Sequence, residues 1–150
     1  VLLVCDVGGA VGHLGITLPP RFLVTAPQIA QVVSIFYQRV RNHPKLGPVF
    51  DVHVTDWPAH EQKIMSFWRN AILLECTYSG NPMQAHMNAG NVRSEDFDDW
   101  LAEFDTVLTE VLPKVPAQAW SALAHRIGQG LWLGLDAYAP SGGCANIPRL

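Results

Sequence analysis

After Pro20 the apolar side chains recur three or four residues apart, the spacing that lines one face of an α-helix. From Ala26 to Asn42, Ile29, Val33, Phe36, Tyr37 and Val40 share such a face, with Thr25 as the expected cap and Pro27 in the first turn. The next segment, HPKLGPVF, holds two prolines and a glycine in eight residues and predicts a tight connection that delivers Phe50. A second helix is expected from the cap Asp56 to about Thr77, because first-turn amides have no intrahelical partner and Pro58 is tolerated there. Its stripe, His60, Ile64, Phe67, Trp68, Ala71 and Leu74, sets an imidazole in line with large hydrophobes. The Gly-, Asn- and Pro-rich run after Tyr78 leaves room for about one or two helical turns near Met83 to Met87, and these carry His86.

A third helix is predicted from the cap Ser94, with Phe97 in its first turn and Trp100, Leu101, Phe104, Val107, Leu108 and Val111 facing inward. Pro113 and Pro116 end it. A fourth runs from Ala117 to about Tyr138 and carries Trp120, Leu123, Ala124, Ile127, Leu131 and Leu135, before the loop-like tail APSGGCANIPRL. No strand alternation of any length follows Pro20, so the expected architecture is all-α, with four main helices and short connectors.

Composition narrows the function. The chain of 150 residues is 49% hydrophobic and 15% charged, the balance of one folded domain with a sizeable core. A net charge of -3 offers no electrostatic grip on phosphate backbones, so nucleic acid is not an expected partner. Cys5, Cys76 and Cys144 are odd in number and widely spaced, which predicts neither a disulfide framework nor a CxxC site and makes a reducing cytoplasm the simplest compartment. Val1 to Leu18 is apolar, but Asp6, His13 and the glycines of GGAVGHLG fit neither a signal peptide nor a membrane span.

The chemistry-bearing residues fit few known motifs. His60 and Glu61 begin like HExxH, but Ile64 stands where the second histidine belongs. No CxxCH is present, so any haem is expected without thioether links. No GxSxG elbow supports a hydrolase, and the leading VLLVCDVGGAVG is not the GxGxxG of a dinucleotide site. What remains is Tyr37, His60, His86 and Trp100, each on the inner face of a different segment. An iron porphyrin needs an apolar slot between helices, one imidazole as axial ligand and polar groups opposite it. This set supplies all three. The ordinary reading of each residue alone is blander: a solvated loop histidine for His86, a hydrogen-bonded core histidine for His60, and amphipathic core aromatics for Tyr37 and Trp100.

Taken together, IFYQRVRNHPKLGPVF, DWPAHEQKIMSFW, NPMQAH and FDDWL, in that order and at those gaps, resemble the group III truncated haemoglobins over about Ala26 to Tyr138. The resemblance implies a shortened globin, a two-over-two helical sandwich around non-covalent haem b. It implies His86 as the proximal iron ligand, Tyr37 and Trp100 as distal hydrogen-bond donors, His60 as the distal or gating histidine, and Phe50 as the aromatic packed on the porphyrin. Ile64, Phe67, Trp68 and Phe97 are expected as core residues that also wall the cofactor. Lys63, one turn beyond His60, is within reach of a haem propionate, with a solvated lysine as the plain alternative. His13, His43, His53 and His125 are expected at the surface. The loop from Phe50 to Trp57 is short, and the first 24 residues extend beyond what such a fold needs.

The expected organisation is an N-terminal extension over 1–24, a globin domain over 25–139 and a tail over 140–150. The leading functional expectation is reversible binding of oxygen or another diatomic gas at iron. The rival is an enzyme with nitric oxide dioxygenase or peroxidase-like turnover, for which a reductase would be the partner. A third reading, a haem-free helical interaction module, predicts a colourless protein.

Overall fold

The structure is a computed structural model; it describes residues 19–76, 78–93 and 95–138, the last four of these for their backbone alone. These residues form six helices: α1 (Ala26–Asn42), α2 (Leu46–Asp51), α3 (Trp57–Leu73), α4 (Pro82–Ala89), α5 (Asp96–Val111) and α6 (Lys114–Tyr138). No strand occurs among the described residues. α1 packs on α3 and on α5, and α5 packs on α6, so two helix pairs lie one over the other. α4 rests on α6. The fold is the all-α two-over-two sandwich expected from the sequence.

Local chemistry explains most helix ends. Thr25 and Gln28 form a full capping box on α1, each side chain bonding the other's backbone amide. Asp56 accepts from the Ala59 amide at 3.0 Å to open α3, and Asn81 accepts from the Gln84 amide at 3.1 Å to open α4. Asp96, Asp98 and Asp99 crowd the first turn of α5, where the helix dipole favours negative charge.

Three boundaries depart from the sequence reading. HPKLGPVF, expected as a plain connection, contains α2. The His43 ring stabilises its start, Nδ1 accepting from the amides of Lys45 at 3.2 Å and Leu46 at 3.1 Å. Gly47 lets this helix lie against the end of α1, because a Cβ there would stand 3.0 Å from the Arg41 carbonyl oxygen. α3 stops at Leu73, short of the expected Thr77, with Leu74 as a left-handed cap at φ 59. α6 starts at Lys114, so Pro116 sits in a first turn and breaks nothing. The Ser94 cap, the Thr77 end and the segments 1–18 and 139–150 lie outside the described residues. Cys76, for which the sequence predicted no disulfide, is disulfide-bonded.

The end of the segment expected as an N-terminal extension packs on α3. The Arg21 amide donates to the Ile72 carbonyl at 2.9 Å and the Arg21 Nε to the Ala71 carbonyl at 2.7 Å. These are last-turn carbonyls of α3, which have no partner within the helix. Val24 is buried beside them.

The core is centred on an aromatic block. Phe104 is fully buried; Trp68 stacks on it at 5.5 Å, Trp100 stacks at 4.9 Å, and Phe36 and Trp120 meet it edge-on at 5.1 and 5.7 Å. Helices α1, α3, α5 and α6 therefore all converge on one ring. Phe104→Ala is expected to destabilise the protein by about 3 to 5 kcal/mol, read as a lower urea midpoint with an unchanged slope; a loss under about 1 kcal/mol would show that the four neighbours close over the gap.

Candidate functional site

Helices α1 to α6 enclose a cavity of about 310 Å³ with mostly apolar walls. Tyr37 reaches it from α1, Phe50 from α2, His60, Ile64, Phe67 and Trp68 from α3, His86 from α4, and Phe97 and Trp100 from α5. Every site residue singled out in the sequence thus lines one space.

The wall built by α1, α2 and α3 is a cluster of rings. Tyr37 meets His60 edge-on at 4.9 Å and Phe50 at 5.9 Å, and the Phe50 and His60 rings stand 5.9 Å apart. Trp57 closes the outer side, 5.8 Å from His60. Two polar groups are held inside this greasy cluster. Burial, aided by the carboxylate of Glu61, pushes the Tyr37 hydroxyl well above the ordinary phenol range, so at neutral pH it is a proton donor throughout. Burial and the nearby Lys63 ammonium lower the basicity of His60, which keeps its imidazole neutral. Among the described residues, three buried side-chain atoms have no hydrogen-bond partner: His60 Nε2, Asn70 Oδ1 and Trp120 Nε1. Of these residues His60 alone lines the cavity. An orphaned buried nitrogen costs free energy unless something in the cavity meets it.

His86 stands apart from that cluster, 5.5 Å from the Phe97 ring. Its Nδ1 lies 2.6 Å from the Pro82 carbonyl oxygen one helical turn back. A carbonyl can only accept, so Nδ1 carries the proton and Nε2 is left with its lone pair. This tautomer leaves Nε2 able to bind a metal, with the ring orientation fixed by the carbonyl bond. Among the described residues no group of three His, Cys, Asp or Glu side chains is placed to hold a metal ion.

The Bacterial-like globin family matches residues 23–127. A group 3 truncated hemoglobin of Campylobacter jejuni is 33% identical over 92 residues, covering 59% of this chain and 72% of that protein. The chain belongs to the bacterial-like globins, in their group III truncated branch. The crystal structure of group III truncated hemoglobin from Campylobacter jejuni superposes with a TM-score of 0.73 at 28% identity, over 81% of this chain and 97% of that one. Membership in this globin family implies a haem-binding protein with a diatomic gas as its ligand. Among the described residues no helix is long and apolar enough to cross a membrane.

The sequence reading missed part of the lining. His53, placed at the surface, is exposed and also borders the cavity, as do Val49 and Val54 beside it. Ile127 and Leu131 of α6 complete the wall behind His86, a place that their helical spacing in the sequence already fitted. The other two described histidines expected at the surface serve structure: His43 caps α2, and His125 pairs with Asp105 at 2.7 Å.

The depressed basicity of His60 has a consequence for the haem-free chain. Unfolded His60 takes up a proton as pH falls through the ordinary imidazole range, and the folded form resists doing so, so stability declines as the pH drops. Urea unfolding at about pH 8 and about pH 5 should show a smaller decline for His60→Phe than for the wild-type chain. Parallel declines would mean that His60 titrates as freely folded as unfolded.

Proposed function

We propose that this protein reversibly binds oxygen or a similar diatomic gas at a non-covalent haem b whose iron is held by His86. The observation that carries the reading is the His86 Nδ1 to Pro82 carbonyl bond of 2.6 Å, which frees Nε2 as a ligand on the wall of an apolar slot. Phe50, Ile64, Phe67, Trp68 and Phe97 would hold the porphyrin by apolar contact, with His86 as the iron ligand. When bound, haem would supply an iron able to take up a diatomic gas reversibly.

The chain's own residues then decide how that gas is held. The Tyr37 hydroxyl and the Trp100 indole N–H donate hydrogen bonds towards it, and the neutral His60 offers Nε2 as a further partner beside them. The apolar side chains of Phe50 and Ile64 beside them would make each of these bonds count for more than it would in solvent.

His86→Ala is expected to lose haem or hold it weakly; unchanged retention, with a ferrous spectrum still showing one axial histidine, would assign the iron to another residue. His60→Ala should keep haem and change chiefly ligand access. Hydrogen bonds to charged groups contribute roughly 1.5 to 3 kcal/mol, so Tyr37→Phe, which removes only the hydroxyl, should speed oxygen release by roughly 10- to 100-fold. Trp100→Phe should act in the same direction. Carbon monoxide carries little charge when bound, and its release should change far less. Stopped-flow dissociation of both gases is the measurement; equal acceleration of the two would point to altered access and remove the donor roles.

A further inference from the structure

Haem would enter and leave the cavity, of about 310 Å³, between the walls that line it, and the least tied wall is the one that would give way. The backbone of helix α4, which carries His86, lies against α6, and the His86 ring touches Phe97 of α5. Its attachment to the opposite wall runs through Asn91.

Gly90 ends α4 in the left-handed conformation at φ 73, with no atom within 4 Å of where a Cβ would stand, and this turn aims Asn91 across the cavity's edge. The Asn91 Nδ2 donates to the Val49 carbonyl at 3.2 Å, and the Asn91 Oδ1 accepts from His53 Nε2 at 2.5 Å. The Val49 carbonyl only accepts, which fixes the orientation of the amide and requires the proton on His53 Nε2. One side chain thereby bonds two points of the α2 corner, across 42 and 38 residues of sequence. Val49 and His53 line the cavity from the α2 side and Ala89 and Val92 from the α4 side, so the bonds lie along its rim.

We propose that Asn91 is a latch between the two walls of the slot, closed by Val49 and His53, which opens each time haem is taken up or released. The proposal rests on the haem reading above. A latch raises the barrier in both directions, so removing it speeds uptake and loss together and leaves affinity nearly unchanged. A group that merely stabilises the haem-bound form slows loss alone.

The test follows the full chain with two probes: stopped-flow mixing of the haem-free protein with monomeric carbon monoxide-ligated haem, and transfer of haem from the loaded protein to excess apomyoglobin. Asn91→Ala, which removes both bonds, is expected to accelerate both rates by roughly 10-fold. Asn91→Asp keeps the acceptor for His53, loses the donor to Val49, and should fall between wild type and Asn91→Ala. His53→Phe removes one of the two bonds from the other wall and should accelerate both rates by a smaller factor than Asn91→Ala, a reading that stands should the Asn91 variants fail to fold. Uptake at the wild-type rate in these variants overturns the latch, whatever happens to loss. A wild-type chain that takes up no haem fails the haem reading itself, a separate result from equal uptake rates.

Discussion

The bond between the His86 ring and the Pro82 carbonyl is the point on which fold and chemistry both depend. It requires α4 to be helical over its first turn, since only helical geometry brings a side chain over the carbonyl four residues earlier. Eight residues of helix are marginal alone. Their stability comes from the Asn81 cap, from Pro82 at a position that needs no amide, and from packing on α6. A carbonyl oxygen has two lone pairs, so the ring bond does not displace the helix's own ladder. With Nδ1 so engaged, the imidazole presents one lone pair, in one direction, without having to choose a tautomer when a metal arrives.

Against this ordered side stands a wall that is polar at the cost of stability. Tyr37 is buried and His60 Nε2 has no partner among the described residues, a combination that disfavours folding on its own. The expense is offset elsewhere. The block around Phe104 joins the α1, α3, α5 and α6 faces through stacked and edge-on rings, and Ile29, Val33, Ile72 and Leu108 fill the space about it. Trp68 and Trp100 belong to that block and to the cavity at once. The core therefore sets the shape of the pocket directly, and a change in packing at Phe104 reaches the site with no intervening layer.

Charge has a smaller part. Arg39 of α1 pairs with Glu103 at 3.4 Å and with Glu110, both on α5, and Lys45 reaches the acidic first turn of α5 at Asp96 and Asp99. These groups are partly exposed, and such pairs contribute little where water screens them. They match the registers that burial already imposes.

Periodicity and capping chemistry by themselves determined the all-α class, the long helices and the inward faces of Tyr37, His60 and Trp100, because a 3.6-residue repeat and a cap are local properties that the chain carries wherever it goes. The family resemblance, carried by motifs at fixed gaps, is what assigned these residues and His86 to one pocket. Tertiary structure alone decided three things. α2 exists because the His43 ring caps it and Gly47 lets it approach the end of α1, neither of which has a sequence period. His53 and Asn91 meet at the cavity's edge only after α2 and α4 are both placed, so their partnership is a distance between segments and not a pattern within one. The orphaned nitrogen of His60 is likewise a property of its surroundings: a sequence names the donor or acceptor, but whether anything stands opposite it is settled by packing.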